Sequence, residues 1–293
     1  MHGWIIIDKP LGLGSTQGVS AVKRALRQAG HGKAKVGHGG TLDPLATGVL
    51  PIAVGEATKL AGRMLDSDKA YAFTIRFGEQ TDTLDAEGKV IATAAGRPLP
   101  ADVEAVLPRF TGPIAQVPPA YSALKVDGER AYDLARAGEE VVLKSRDVIV
   151  HELSLSAADG EEATLVAHVS KGTYIRSLAR DIALALGTVG HVTMLRRLKA
   201  GPFDLSQAIS LDKLHEAAMA RELEHLLLPL RAGLDDIPAL ALSPDQAGAL
   251  RQGRVLAGIA ADDGSAFAML GDVPVALVEV EDGSVRVVRG FNL

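Results

Sequence analysis

Apolar and polar positions alternate along this chain in patterns that predict both strands and helices. Trp4–Ile7 is an unbroken apolar run that stops at Asp8-Lys9-Pro10, as a buried strand does on entering a loop. Val19, Val22 and Leu26 then recur at helical spacing, with Lys23, Arg24 and Arg27 on the wet side. This predicts a helix from a cap at Ser15 or Thr16 to about Ala29, ended by Gly30. Tyr71, Phe73, Ile75 and Phe77 alternate with smaller or polar residues, so 70–77 reads as a strand with its aromatics on one face. Residues 98–112 suit a helix between Pro98 and Gly112, and 164–170 a strand. After Lys171-Gly172-Thr173, apolar residues at 175, 178, 182 and 186 predict a helix ending at Gly187, with Arg176 and Arg180 one turn apart on its other face. A short helix over 211–226 and a linker over 227–238 follow. Val273–Val280, Asp282-Gly283 and Val285–Val288 then spell a hairpin in a small β-rich C-terminal domain. Between 118 and 144 the periodicity fails, which suggests an inserted, mobile excursion. Strands and helices without regular βαβ alternation indicate an α+β fold.

Length and composition narrow the class. The 293 residues allow one large domain or a main domain with an appendage. No apolar run reaches membrane-spanning length, and Asp8, Lys9 and Pro10 stand too early for a signal peptide, so a cytoplasmic protein without membrane contact is expected. With no cysteine and no His-Glu-x-x-His spacing among eight histidines, neither a metal nor a thiol nucleophile is expected. The net charge of −5 is unevenly spread. Residues 1–63 carry eight Lys/Arg against three Asp/Glu and 168–201 carry six against one, while 235–293 carry four against nine. Two basic segments on an acidic chain suggest an electropositive face for a phosphate backbone; solvated surface cations are the blander account.

Chemistry concentrates at residues 37–51, a glycine-dense loop with one imidazole, His38, and one carboxylate, Asp43, before a proline. Glycines at 37, 39 and 40 admit positive φ and close approach, and Pro44 drives Asp43 toward an extended or turn conformation. Asp43 then either caps a turn over 45–49 or serves catalysis; the loop alone leaves the two level. Tyr71 at a strand start and Arg176 at a helix start could converge with it, an arginine beside a cleft carboxylate suiting a nucleophile or base. Singly, Tyr71 reads as a core aromatic, Arg176 as a solvated helix residue and His38 as a loop hydrogen-bonder.

These residues sit in motifs that resemble the TruB family of bacterial tRNA pseudouridine synthases. The matching motifs are Asp-Lys-Pro-Leu-Gly at 8–12, Gly-His-Gly-Gly-Thr-Leu-Asp-Pro-Leu-Ala-Thr-Gly at 37–48 and Lys-Ala-Tyr at 69–71 with Arg-Phe-Gly at 76–78 and Thr-Asp-Thr at 81–83. Pro-Pro-Ala-Tyr-Ser-Ala-Leu-Lys at 118–125, Ser-Lys-Gly-Thr-Tyr-Ile-Arg-Ser-Leu at 170–178 and Leu-Arg-Arg at 195–197 follow in order, so the likeness spans about 4–210. The second motif is highly specific; the first is weak alone. The resemblance implies that Asp43 is the catalytic aspartate and Arg176 its partner. It also implies that His38, Tyr71, Tyr174 and Leu195 line the pocket of the flipped base, with Tyr71 stacking on the uracil. The substrate implied is uridine 55 in the T stem-loop of tRNA, isomerised with no cofactor and no metal by a monomer that needs no protein partner. The fold implied is a largely antiparallel central sheet with flanking helices in a catalytic domain over 1–230, a thumb-like insertion over about 118–144, and a PUA-like β domain over 238–293. The acidity of that last domain points to an auxiliary role. After Lys9-Pro10 the family more often has Gly-x-Thr-Ser, whereas Gly12-Leu13-Gly14-Ser15-Thr16 stands here, leaving the start of the first helix open.

Two other functions fit parts of the pattern. An RNA-binding module without catalysis accounts for the basic segments but gives Asp43 no task; it would return T-arm RNA unchanged. A nucleotide-phosphate enzyme using glycines 37–40 is disfavoured, because no Gly-Lys-Ser/Thr follows and Asp43 would repel phosphate.

Overall fold

Burial on both faces explains the Trp4–Ile7 run. In the computed structural model of the chain, which describes residues 1–122, 124–126, 129–137, 141 and 143–293, Gly3–Lys9 is an interior strand whose four apolar residues are all shielded from solvent. Ile5 and Ile7 pack under the helices Ser15–Gln28 and Leu211–Ala220, while Trp4 and Ile6 face the opposite layer. Among the described residues this strand belongs to a ten-stranded sheet. Its main path runs Leu228–Pro229, Gly3–Lys9, Ala46–Val54, Gly190–Ala200, Lys69–Phe77, Glu162–Val169, Arg146–Ala158 and Gly112–Gln116. All pairings are antiparallel except one, where Leu195–Arg197 runs parallel to Ala46–Gly48. The α+β, largely antiparallel expectation holds.

That parallel seam divides the sheet. On one side of it the helix Ile175–Ala185 covers Phe73, Ile75 and Phe77, and on the other Ser15–Gln28 covers Leu50 and Ile52. Tyr71 and Leu195 pack against both clusters, so they line the valley between the two helices. Gly48 makes the seam possible: it adopts φ +99°, and a Cβ there would fall 2.1 Å from the Arg197 carbonyl oxygen.

Several elements differ from the sequence expectations for identifiable reasons. The first helix is capped by Gly14 rather than by Ser15 or Thr16, with the Gln17 side chain accepting from the Gly14 N–H. The 98–112 helix is α-helical only over Pro100–Val106 and tightens to a 3₁₀ turn at Pro108, which has no N–H to continue the ladder. The 211–226 helix breaks at Arg221, which takes the left-handed conformation at φ 60° before a second short turn. The 227–238 linker is integrated into the body. Leu228 pairs with Trp4 in the sheet, Leu230 and Leu234 are buried beside Trp4, and the Trp4 indole N–H donates to the Leu230 carbonyl at 3.2 Å.

The C-terminal sheet comprises Ala239–Ala241, Gly264–Leu270, Val273–Glu281 and Ser284–Gly290, with helix Pro244–Arg251 packed on it. Its hairpin turns at Asp282 and Gly283, both at positive φ as a two-residue hairpin turn requires. Phe267, Met269 and Phe291 join the cluster around Trp4, so the sheet shares a core with the main body. The 118–144 excursion lies partly outside the described residues. Its described parts include the pairing of Lys125–Val126 with Glu129–Arg130 and the helix Ala131–Arg136.

Lys69 closes the helix Ala61–Asp66 from within the core. Its ammonium donates to the carbonyls of Met64, Leu65 and Ser67, and burial holds its pKa down at about 8 against an ordinary 10.5. Between these values the unfolded chain keeps a proton that the folded chain has released, so this group's contribution to stability rises with pH. Urea unfolding of wild type and Lys69→Met at about pH 7 and about pH 9.5 is expected to show wild type gaining about 1–2 kcal/mol on the variant at the higher pH. An unchanged difference between the two proteins would contradict the burial of a charged Lys69.

Candidate functional site

The Asp43 loop is fastened to its surroundings on three sides. Ser15, at the first turn of its helix, donates from Oγ to the Leu42 carbonyl at 2.9 Å and accepts from the Leu42 N–H at 2.8 Å. Ser15 thus serves the loop instead of capping its own helix. Lys9, fully buried, donates to the carbonyls of Leu13 at 2.6 Å, Pro10 at 3.1 Å and Pro44 at 3.4 Å, and the Gly12 N–H donates to Pro44 at 2.8 Å. Beneath lies the buried Arg197 guanidinium, with its hydrogen bonds on the carbonyls of Val49, Gly40 and Thr41. Of the loop glycines, Gly40 takes φ +135°, while Gly39 is needed for space, since a Cβ there would stand 2.6 Å from Met64 Cβ. Gly37 has neither constraint.

No helix follows Asp43. The next element is the strand Ala46–Val54, so the capping alternative fails and Asp43 projects from a turn. Its side chain is 52% exposed and meets Arg176 Nη2 through Oδ2 at 3.2 Å. Arg176 is not the solvated helix residue its position suggested: its side chain is only 10% exposed. Nη1 donates to Asp85 Oδ2 at 3.0 Å and to the Thr83 carbonyl at 2.9 Å, and Nη2 donates to the Tyr121 carbonyl at 3.0 Å. One guanidinium therefore joins the 43 turn, the 83–85 turn, residue 121 and its own helix. Asp85 is fixed in turn by Thr83 Oγ1, which donates to Oδ1 at 2.6 Å. Sequence reasoning stopped at Thr81–Thr83 and missed Asp85, although a carboxylate two residues beyond a matched motif was a signal within reach.

Strand register relates two of the remaining predicted residues, Leu195 and Tyr71, to the strand that follows Asp43. Leu195 pairs with Ala46, three residues after Asp43, and on its other side with Phe73. Tyr71 pairs with Arg197, two residues along from Leu195. His38 lies on the short strand Val36–His38 against Ile52. Its Nδ1 is buried without a hydrogen-bond partner among the described residues. Burial, and then the Arg197 charge, hold its pKa below the ordinary value, so the ring is neutral at neutral pH. Tyr174 precedes the helix Ile175–Ala185; its N–H donates to Gln116 Oε1 at 2.8 Å and its ring lies 5.6 Å from the Arg146 guanidinium carbon. Burial pushes the Lys9 pKa down, with the Asp43 charge opposing and Arg197 adding to the shift.

The basic segments divide between two tasks. In 168–201, Arg176 and Arg197 are buried, Lys171, Arg180 and Arg196 pair with Asp66, Asp181 and Asp8, and Lys199 alone is exposed without an ion pair among the described residues. The exposed cations of 1–63 are Lys23, Arg24 and Arg27 on the first helix and Lys33 and Lys35 after it. The electropositive face accordingly rests on that helix rather than on both segments equally. Among the described residues, no group of three or more His, Asp or Glu side chains converges to hold a metal ion, and no helix is long and apolar enough to cross a membrane.

A shallow, arginine-anchored carboxylate between an aromatic strand and a basic helix can take part in covalent or proton-transfer chemistry on a flat base. Comparison with known proteins shows the family of the chain. Residues 23–175 match the family model for the TruB family pseudouridylate synthase N-terminal domain, and residues 176–235 that for the tRNA pseudouridylate synthase B C-terminal domain. The chain is 69% identical to a tRNA pseudouridine synthase B of Novosphingobium aromaticivorans over 298 residues, covering 100% of this chain and 98% of that protein. It is 63% identical to that of Zymomonas mobilis over 292 residues, covering 100% and 96%. In fold it is similar to a chain of an H/ACA RNP bound to a substrate RNA containing 2′-deoxyuridine, with a TM-score of 0.75, 24% identity, and 99% of this chain and 85% of that one covered. With full-length likeness to such relatives, the chain belongs to the TruB family of pseudouridylate synthases and is an isomerase.

Proposed function

We propose that the chain converts uridine 55 in the T loop of tRNA to pseudouridine, with Asp43 as the catalytic group. The observation that carries this reading is the Asp43–Arg176–Asp85 arrangement. The hydrogen bonds of Arg176 are committed to Asp85 and two carbonyls. It therefore offers Asp43 a fixed cation while leaving Oδ1 without a hydrogen-bond partner among the described residues.

The reaction breaks the N1–C1′ bond, turns the uracil and joins C5 to C1′, while the C5 proton is replaced by one on N1. Nothing is gained or lost, so no cofactor or metal has a task. Asp43 acts by attack on the ribose or the base, or by removing a ribose proton. A looped uridine leaves its stack at a cost of a few kcal/mol, offset by stacking on an aromatic such as Tyr71. His38, neutral and with Nδ1 unpaired, suits a neutral base better than a phosphate. Tyr174 and Leu195 complete the pocket walls, and Lys23, Arg24 and Arg27 take backbone phosphates. Residues 1–230 form the catalytic domain and 238–293 a PUA-like module in an auxiliary role. The 118–144 insertion works as a thumb over the stem-loop, hinged where the Tyr121 carbonyl meets Arg176. The enzyme works in the cytoplasm as a monomer without a protein partner.

Mapping pseudouridine on an unmodified tRNA transcript tests the reading. Asp43→Asn is expected to bring product down to the enzyme-free level while tRNA affinity changes less than about threefold. Appreciable turnover by that variant would defeat the assignment. Arg176→Lys removes the planar fork and is expected to lower the single-turnover rate about 100-fold or more. Asp85→Asn is expected to cost about tenfold alone and almost nothing further in the Arg176→Lys background, because the two act as one unit. Additive losses would show that Asp85 has no hold on Arg176.

A further inference from the structure

Arg146 lies outside both basic segments and outside every matched motif, and the reaction so far leaves it without a task. It opens the strand Arg146–Ala158 and pairs across with Gln116, the last residue of Gly112–Gln116. Both side chains of this rung meet Tyr174. Gln116, fully buried, accepts the Tyr174 N–H on Oε1 at 2.8 Å, which fixes the backbone there. Arg146 sets its guanidinium carbon 5.6 Å from the centre of the Tyr174 ring, within cation–π range. Its Nη1 also lies beside Gly172, 3.4 Å from where a Cβ would stand. Tyr174 is two residues before Arg176, whose Nη2 meets Asp43, so the rung stands next to the candidate site.

What marks Arg146 is a charge that goes unanswered. Of the cations near the start of the helix Ile175–Ala185, Arg176 is committed to Asp43 and Asp85, Lys171 to Asp66 and Arg180 to Asp181. Arg146 is half-buried, yet among the described residues its N–H groups donate to nothing and no carboxylate pairs with it. Its neighbour Asp147 is carried to the opposite face by strand alternation. The aromatic ring offsets part of the cost of a partly desolvated cation and leaves the edge donors of the guanidinium open.

From this geometry we infer that Arg146 binds a backbone phosphate adjoining the uridine that enters the pocket. The inference rests on the pseudouridine-synthase reading, under which Tyr174 walls that pocket, and adds the group that holds the nucleotide's backbone. A nucleotide with its base beside Tyr174 carries its phosphates one ribose away, where the guanidinium stands. A planar fork with free donors matches two phosphate oxygens, and the contact is charge-assisted. Because the fork is already seated on the ring, little rotamer freedom is lost on binding. Such a contact forms in substrate and transition state alike, so it raises affinity and leaves the chemical step unchanged.

The test measures single-turnover pseudouridine formation and tRNA affinity for wild type, Arg146→Met and Arg146→Lys. Affinities are taken in the Asp43→Asn background, so that bound RNA stays unconverted. Wild type that binds the unmodified transcript and forms no pseudouridine would defeat the parent reading before any variant is compared. Arg146→Met, at an unchanged melting temperature, is expected to weaken binding about tenfold and to lower the salt dependence by about one phosphate contact. Its rate at saturating enzyme is expected to stay within about threefold of wild type. Arg146→Lys, which supplies a point charge, is expected to keep the salt dependence and recover part of the affinity. A second arm needs no substitution in the protein: the two phosphates flanking the target uridine are replaced, one at a time, by neutral methylphosphonates. One of the two is expected to cost the unsubstituted Arg146 protein about tenfold in affinity and to cost Arg146→Met nothing further. Additive losses, indifference to both neutral linkages, or an unchanged affinity in Arg146→Met would overturn the phosphate contact. So would an affinity loss at unchanged salt dependence, or a fall in the saturating rate that Arg146→Lys fails to rescue, since either would make Arg146 a support for Tyr174 alone.

Discussion

Everything at the candidate site hangs on a single buried cation. Arg176 leaves the second position of its helix and meets two carboxylates and two backbone carbonyls, drawn from the 43, 83–85 and 121 segments. A guanidinium can do this because its donors lie in one rigid plane and it stays charged at any working pH. The arrangement also explains why Asp43 can remain half-exposed and still be held. Its partner is locked by other bonds, so the carboxylate is oriented by charge without surrendering its outer oxygen.

A second constraint is the way three buried cations are satisfied. Lys9, Lys69 and Arg197 are buried, and each places its hydrogen bonds on backbone carbonyls, with no ion pair among the described residues. Turns and helix ends leave carbonyls that must be satisfied once water is excluded. A long cationic side chain reaches several of them at once. The cost is visible in the lowered pKa values of Lys9 and Lys69, for which burial is the leading cause. Such cations wire loops together from inside and cannot serve as a surface for nucleic acid. A count of Lys and Arg along the chain therefore overstates the electropositive face, most of all in 168–201.

Much of the architecture was legible because it follows local rules. The alternation over Tyr71–Phe77 fixes a strand with one aromatic face, Val19, Val22 and Leu26 a helix stripe, and Asp282-Gly283 a hairpin turn, all of which the structure contains. The failures came where a distant partner overrode the local preference. Ser15 is a good cap by chemistry, yet it turns to Leu42 and leaves the cap to Gly14. Residues 227–238 look like a linker in isolation, but Trp4 supplies Leu230 and Leu234 with a core to join. Arg176 and Arg180 share a helix face by periodicity, which says nothing about Asp85 waiting opposite one of them.

By itself the sequence determined the fold class, the motifs that carry the family likeness, and Asp43, His38, Tyr71, Tyr174, Arg176 and Leu195 as the residues to examine. These rest on periodicity, turn chemistry and residue type, which are written along the chain. Only the tertiary structure decided that Asp43 precedes a strand and so caps nothing, that Asp85 shares its arginine, and that Gly190–Ala200, through the parallel seam at Leu195–Arg197, lies between the strand of Tyr71 and the strand that follows Asp43. Those outcomes depend on pairings between segments tens to more than a hundred residues apart. No local preference encodes such pairings; they arise when buried donors and acceptors must all find partners within one packed core.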